Sequence, residues 1–259
     1  MHEFTCDLVI AYYKENLEWL KEFEQYPFRK IYIYTKGKTP ELPFQKDSVE
    51  IITLENYGRC DHTYIYHIVH KYHSLADVTI FCTGSVGRLP HKTGSMQFIV
   101  PKVFVTKTSV FRVIHEPDYK KKYKGFRVKA WRSSSRNNQE NVSKNAAHPS
   151  KLPFEEWYEK FFKGIDLEHV AYGGVFAVSK QHIHHRKEES YKELLNEFPQ
   201  HSNPEVGHYF ERTWLGIFPP VPPECIYLEK EDNRPLKKHH GGTRKINRRR
   251  KLRRRNRSR

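Results

Sequence analysis

Apolar residues along the first third of this chain recur with two different spacings. Asp7-Leu8-Val9-Ile10-Ala11-Tyr12 carries an unbroken apolar run, the pattern of a central strand covered on both faces. Lys14-Glu15-Asn16 follows as a loop, and Leu17 to Phe23 predicts a short helix with Leu17 and Leu20 inward. Lys30-Ile31-Tyr32-Ile33-Tyr34 predicts a second strand, stopped by Gly37 and Pro40. Val49, Ile51, Ile52 and Leu54 predict a third. The chain then turns through Asn56-Tyr57-Gly58 and the rhythm changes. Tyr64, Ile65, Ile68, Val69 and Tyr72 are spaced as one face of a helix that opens with Arg59, Asp61 and His62. Val78-Thr79-Ile80-Phe81 predicts a fourth strand and ends in Cys82-Thr83-Gly84. Three βα units in the first 81 residues predict an α/β fold with a Rossmann-like, mostly parallel sheet flanked by helices.

From Gly84 to Ser150 the pattern degrades. Phe98 to Val105 and Val110 to Ile114 read as short strands or irregular apolar segments. Lys120-Lys121-Lys122, Arg132 to Arg136 and Asn137 to Ala147 read as mobile surface. A helix resumes over Pro153 to Phe162, with Glu155 and Glu156 where the helix dipole favours acids. Tyr172-Gly173-Gly174-Val175-Phe176-Ala177-Val178-Ser179 is a Gly-opened strand whose Ser179 can cap the next helix. Ser190 to Phe198 predicts a further helix. Asn203-Pro204-Glu205 opens the last one, with Val206, Tyr209, Phe210, Trp214 and Ile217 on one face. The chain contains no internal repeat. One domain over 1–234 is predicted, split into a nucleotide-binding half (1–90) and an acceptor half (91–234), with a disordered basic tail over 235–259.

Charge supports that division. The formal net charge is +16, but Lys237 to Arg259 holds 13 Lys/Arg and no acid; without it 33 basic residues face 30 acidic ones, a net of +3. The tail alone would bind polyanions, either as a working arm or as a targeting extension such as a nuclear localisation signal. Cys6, Cys60, Cys82 and Cys225 are scattered with no C-x-x-C pair, which argues against a zinc ribbon or a disulfide framework and for reduced thiols. Met1 to Asp7 has no apolar signal core and no segment is apolar over a membrane span, so the expectation is a protein that is not secreted and has no transmembrane segment. The sequon Asn141-Val142-Ser143 then carries no meaning.

Ligands of parallel sheets bind beyond the carboxyl ends of the strands, which singles out the loops Asn56 to His62 and Cys82 to Arg88. Five blocks stand in order: DLVIAYYKENLEWL, IYIYTKG, NYGRCDHTYIYHIVHKYHSLADVTIF, YGGVFAVS and EVGHYFERTWLGIF. Over Asp7 to Pro219 this order resembles an uncharacterised family of fungi, algae and large DNA viruses that is similar to a distant branch of the GT-A glycosyltransferases. The most specific blocks are Asn56 to His67 and Glu205 to Phe218. The basic tail resembles those of large-virus proteins, which implies a host-cytoplasmic or virion location.

The resemblance implies a nucleotide-sugar donor over the N-terminal half and a glycan or glycoprotein acceptor in the C-terminal half. Ala11, Tyr12 and Glu15 would border the nucleotide at the first strand end, and Asn56, Gly58, Arg59 and Asp61 at the third. Gly58 permits a close turn, Arg59 can fork onto a phosphate, and a helix start suits an anion. Most GT-A enzymes also hold manganese or magnesium with an Asp-x-Asp after the fourth strand. Here that position reads Phe81-Cys82-Thr83-Gly84-Ser85, with no carboxylate. Either Arg, Lys or His neutralises the leaving group instead, or the site binds without turnover. His115-Glu116-Pro117-Asp118 offers metal-type side chains, though in no known metal spacing.

Glu205, His208 and Glu211 recur at intervals of three, with Arg212 adjoining. One reading makes Glu211 or Glu205 the base for an acceptor hydroxyl, with His208 and Arg212 near the diphosphate. The bland reading is a solvated polar face opposite Val206, Phe210 and Trp214. Gly173-Gly174 either lets a ligand approach the backbone or only allows tight packing. His182, His184 and His185 read as surface, and neither Cys60 nor Cys82 has the partners of a thiol nucleophile. The rivals to a glycosyltransferase are a non-catalytic nucleotide- or glycan-binding protein of the same fold, and a viral structural protein that binds nucleic acid through its tail.

Overall fold

A computed structural model describes residues 3–45, 47–128 and 149–229. The tail, Arg132 to Arg136 and Asn137 to Ala147 lie outside these residues. The strands are β1 (Cys6–Tyr12), β2 (Lys30–Thr35), β3 (Val49–Thr53), β4 (Val78–Thr83), β5 (Phe111–His115), β6 (His169–Val170), β7 (Phe176–Ser179) and β8 (Ile226–Leu228). The α-helices are α1 (Arg59–Lys71), α2 (Pro90–Thr106), α3 (Tyr119–Tyr123), α4 (Phe154–Phe162), α5 (Lys180–Ile183), α6 (Glu188–Leu195) and α7 (Glu205–Ile217).

The main sheet has five strands in the order β3-β2-β1-β4-β7. The first four are mutually parallel, and β7 closes the edge antiparallel to β4. A smaller sheet, β6-β5-β8, adjoins it through a bridge between Val110 and Ala177. Because β7 comes from the C-terminal half and completes the main sheet, the halves drawn at residue 90 share one sheet.

Side chains on a strand alternate between faces, and the core divides accordingly. Val9, Tyr32, Tyr34, Phe81, Phe176 and Val178 point to one face, where Tyr64, Ile65 and Ile68 of α1 and Phe210 and Trp214 of α7 cover them. Leu8, Ile10, Ile31, Ile33, Ile80 and Cys82 point to the other, covered by Leu17, Leu20 and Phe23 and by Met96, Ile99, Val100 and Val103 of α2. This is a three-layer α/β arrangement. Among the described residues no helix is long and apolar enough to cross a membrane.

Several expectations need correction. Phe98 to Val105 is helical, the second half of α2. Its β-branched residues and the internal Pro101 imitate strand and break signals. Its start was marked by Pro90, which suits a first helical turn because the missing N–H has no intrahelical partner there. Lys120-Lys121-Lys122 is helical too, in α3. Among the described residues the link from β2 to β3 contains no helix, so there only two of the three crossovers among β1 to β4 are helical, the first of them a 3-10 helix over Glu18–Phe23. His182 is buried, with Nδ1 2.6 Å from Ser109 Oγ and 2.9 Å from Ser179 Oγ, while His184 and His185 are exposed.

The chain runs outward from β1 to β3 and returns through α1 to place β4 on the other side of β1. The connections therefore diverge between β1 and β4. At such a switch point the loops leave the carboxyl ends open for a ligand.

Candidate functional site

The loop that enters α1 is held in an unusual backbone conformation. Gly58 has φ 70°, and a Cβ there would stand 2.3 Å from the Cβ of His62. Arg59 follows with φ 55°, the left-handed region that a side chain enters at a cost. Lys36, buried at the end of β2, fixes this turn: its Nζ donates to the carbonyls of Tyr57 at 2.5 Å and Arg59 at 2.6 Å and stands 3.3 Å from His62 Nδ1. Gly58 N–H donates to His201 O at 2.9 Å. Two left-handed residues and an internal lysine thus aim the Arg59 side chain toward α7.

There Arg59 Nη1 donates to His208 Nε2 at 2.9 Å. The same Nη1 lies 3.4 Å from Nδ1, so the guanidinium stands against both ring nitrogens of the imidazole. Burial, with Arg59 next, pushes His208 down to about 3, so it stays neutral. One turn on lies Glu211, whose Oε1 accepts from Gly173 N–H at 3.4 Å. Burial raises the Glu211 carboxyl, but the cations Arg59, Arg212 and Lys92 outweigh it and hold the group below its ordinary range. The polar residues of α7 are therefore not a solvated face: Glu205 and Arg212 are buried, and His208 and Glu211 are half-buried against α1 and the Gly173 turn.

Lys92 completes the cluster. It lies in the first turn of α2, which follows β4 after a 3-10 helix over Gly84–Arg88, and its Nζ donates to Thr83 Oγ1 at 2.9 Å and Ser85 Oγ at 3.2 Å. Burial lowers its pKa and Arg59 adds to this, while Glu211 and Asp61 favour the charged form. Opposite stands the turn Tyr172–Gly174, with Gly173 at φ 86° and Gly174 at φ 66°. A Cβ on Gly174 would lie 3.3 Å from Cys60 Sγ and 3.5 Å from Thr83 Cγ2, so the backbone passes close to both. Near Gly173 the closest atoms are those of His91 and Lys92, at 3.6 to 3.8 Å.

The other expected site residues divide. Asp61 is buried beside Cys60, whose thiol donates to its Oδ2 at 3.6 Å, and burial pushes the carboxyl up to about 7. Cys60 itself is pushed up to about 12, by burial first and Asp61 second, which leaves the thiol protonated. Ala11 pairs with Tyr34 and Thr83 in the sheet. Glu15 accepts from the N–H groups of Tyr13 and Lys14 at 2.8 and 2.9 Å, folding the loop after β1. Glu15 and Tyr12 both pack against Gly84, where a Cβ would come within 2.9 Å of Glu15 Oε2. Asn56 is exposed on the loop rim.

Two residues have other duties. Glu205 accepts from Val128 N–H at 3.0 Å, Ser150 N–H at 2.9 Å and Arg127 Nη1 at 2.8 Å, tying down two chain segments at the far end of α7. Arg212 lies over Phe126 at 4.1 Å and Tyr123 at 5.4 Å, and its Nη1 donates to His208 O at 2.7 Å. It contributes charge to Glu211 from within an aromatic box. His115 lies against His169, and Glu116 pairs with Lys122 at 2.5 Å, so these two side chains of the His115–Asp118 stretch have local partners.

Thr83 and Ser85 belong to the expected ligand loop Cys82 to Arg88, whereas Lys92 and Lys36 lie outside both expected loops. The model of the protein family described as "Protein of unknown function (DUF3431)" matches residues 8–231. The chain belongs to that family. The match spans all the elements just described except the first residues of β1. Among curated proteins none matches the chain.

Proposed function

We propose that this DUF3431 protein is a glycosyltransferase of GT-A-like fold, moving a sugar from a nucleotide-sugar to a hydroxyl of a glycan or protein acceptor. One observation supports this above the rest. A carboxylate, Glu211, and two cations, Arg59 and Lys92, converge at the switch point between β1 and β4. Sugar transfer needs a base for the acceptor hydroxyl and positive charge for the departing diphosphate. The nucleotide would lie over residues 1–90, bordered by Ala11, Tyr12, Glu15, Asn56 and the Gly58–Asp61 turn. The acceptor would enter from residues 91–234, past Gly173 and Gly174.

In the reaction the acceptor oxygen bonds to the anomeric carbon as its proton passes to Glu211. The bond from that carbon to the diphosphate oxygen breaks, and its electron pair leaves with the diphosphate, which Arg59 and Lys92 stabilise. Glu211 is a weak base while those cations face it. A bound diphosphate would neutralise them and raise its basicity, so base strength would arrive with the donor. Arg212 and His208 act on Glu211 and Arg59 rather than on the ligand.

The cation-depressed Glu211 also favours a second reading, in which the same site holds a nucleotide without turnover. Incubating the full chain with UDP-, GDP- and CMP-sugars and following free nucleotide separates the two. Release that falls by about 100-fold or more in Glu211→Gln, with donor affinity kept, supports the transferase. Donor binding with no release in the wild type would move the assignment to the binding protein.

A further inference from the structure

We propose that the diphosphate site works without a divalent cation, with Lys92 standing where a metal would be held. The inference rests on the transferase reading and concerns how its leaving group is stabilised. Magnesium and manganese are held by oxygen ligands, above all carboxylates. The side-chain oxygens at the end of β4 are the hydroxyls of Thr83 and Ser85, and both already accept from Lys92 Nζ, at 2.9 and 3.2 Å; the carboxylate packed on Gly84, Glu15, already accepts from the N–H groups of Tyr13 and Lys14. A metal ion placed there would displace an ammonium from its ligands and face it at close range. Among the described residues no three His, Cys, Asp or Glu side chains come together to hold a metal. With its hydroxyls taken by an ammonium, this strand end does not fit a divalent cation.

It does fit an anion. An ammonium has three N–H donors. Two of those on Lys92 are committed to the hydroxyls, which fixes the third in direction. Arg59 is fixed in the same way through His208, at 2.9 Å. The hydrogen-bond partners of both cations are neutral, and the carboxylate that faces both is Glu211. The left-handed turn at Gly58 and Arg59 sets the start of α1, a helix of 13 residues, beside them. The charge that a metal supplies elsewhere is here built into the chain at the same strand end.

The test is calorimetric titration of the full chain with inorganic pyrophosphate, UDP and GDP, each in EDTA and in manganese. The expected result is binding of pyrophosphate and one nucleotide in EDTA, little changed by manganese. Lys92→Met should weaken it at least tenfold, and Lys92→Arg should retain most of it. Binding that appears only with manganese overturns the proposal and leaves the transferase reading standing. So does a folded Lys92→Met protein that binds as tightly as the wild type. Absence of binding to all three probes under both conditions overturns the proposal and the transferase reading together. Pyrophosphate binding in EDTA without sugar transfer from any nucleotide-sugar upholds the metal-free site and removes the transferase. Should Lys92→Met fail to fold, the metal dependence of the wild type decides alone.

Discussion

Arg59 and His208, 149 residues apart, meet at 2.9 Å, and the imidazole is the acceptor. The contact aims a guanidinium whose own backbone sits at φ 55°. A left-handed residue costs roughly 1–2 kcal/mol unless it is glycine. In most helical positions glycine is less stable than alanine; here the order should invert. Arg59→Gly is expected to be more stable than Arg59→Ala by about 1 kcal/mol in urea unfolding. Both should lose nucleotide affinity alike. Equal stabilities would show that residue 59 does not hold a left-handed backbone in solution.

Glu205 and Glu211 both looked able to serve as base, and they should separate cleanly on mutation. Glu205 holds the buried N–H of Val128 and the N–H of Ser150. Leaving such groups without an acceptor costs ~1–3 kcal/mol apiece. Glu205→Ala should therefore lower the melting temperature while the turnover of the folded fraction stays within a factor of about 3. Glu211→Gln should do the reverse. Loss of turnover in a well-folded Glu205→Ala protein would return that residue to the reaction.

The contrast between these two carboxylates shows where the chain was readable. Steps of three residues on a helix of 3.6 residues per turn drift by about 60° each. Glu205 and His208 can share a face, and so can His208 and Glu211, yet the two glutamates end about 120° apart. Intervals alone could not decide which end of the face the site used. The strands were legible because β1 and β4 are central and covered on both sides, which demands continuous apolar runs. The helix α2 was not, because Pro101 and its β-branched neighbours read as strand and break. Lys92 was lost with it: its link to Thr83 and Ser85 depends on the chain turning back through a 3-10 helix over Gly84–Arg88 so that Pro90 starts α2 beside the end of β4.

Acid should unfold the protein through its interior histidines. His67 is fully buried and bonded through Nδ1 to Tyr34 OH at 2.9 Å. Burial, with nearby cations, pushes it down to about 3 from 6.5. Below pH 6.5 the unfolded chain takes up a proton that the folded chain refuses, so stability falls as pH drops toward 3. The limiting slope is about 1.4 kcal/mol per pH unit for one histidine. His67→Gln keeps an acceptor for Tyr34 and cannot titrate. Its stability relative to the wild type should improve progressively between pH 6.5 and 4 in urea titrations. A gap independent of pH would show that His67 protonates freely in the folded state.

Asp61 carries the opposite sign. Its carboxyl, buried against α7 near Gly207, is pushed up to about 7 from 3.8, by burial above all. Between those values the folded chain holds a proton that the unfolded chain releases, so this group costs stability as pH rises through that window. Asp61→Asn is nearly the same shape, can still accept from Cys60, and has nothing to ionise. It should match the wild type near pH 4 and exceed it increasingly toward pH 7, by up to about 1.4 kcal/mol per pH unit. Above pH 7 the difference should level off. Comparing wild type and variant at each pH cancels the histidine contribution, which has the other slope. A variant less stable than the wild type at pH 8 would mean that ionised Asp61 is held by Arg59 more strongly than burial opposes it, and would make that pair a structural ion pair.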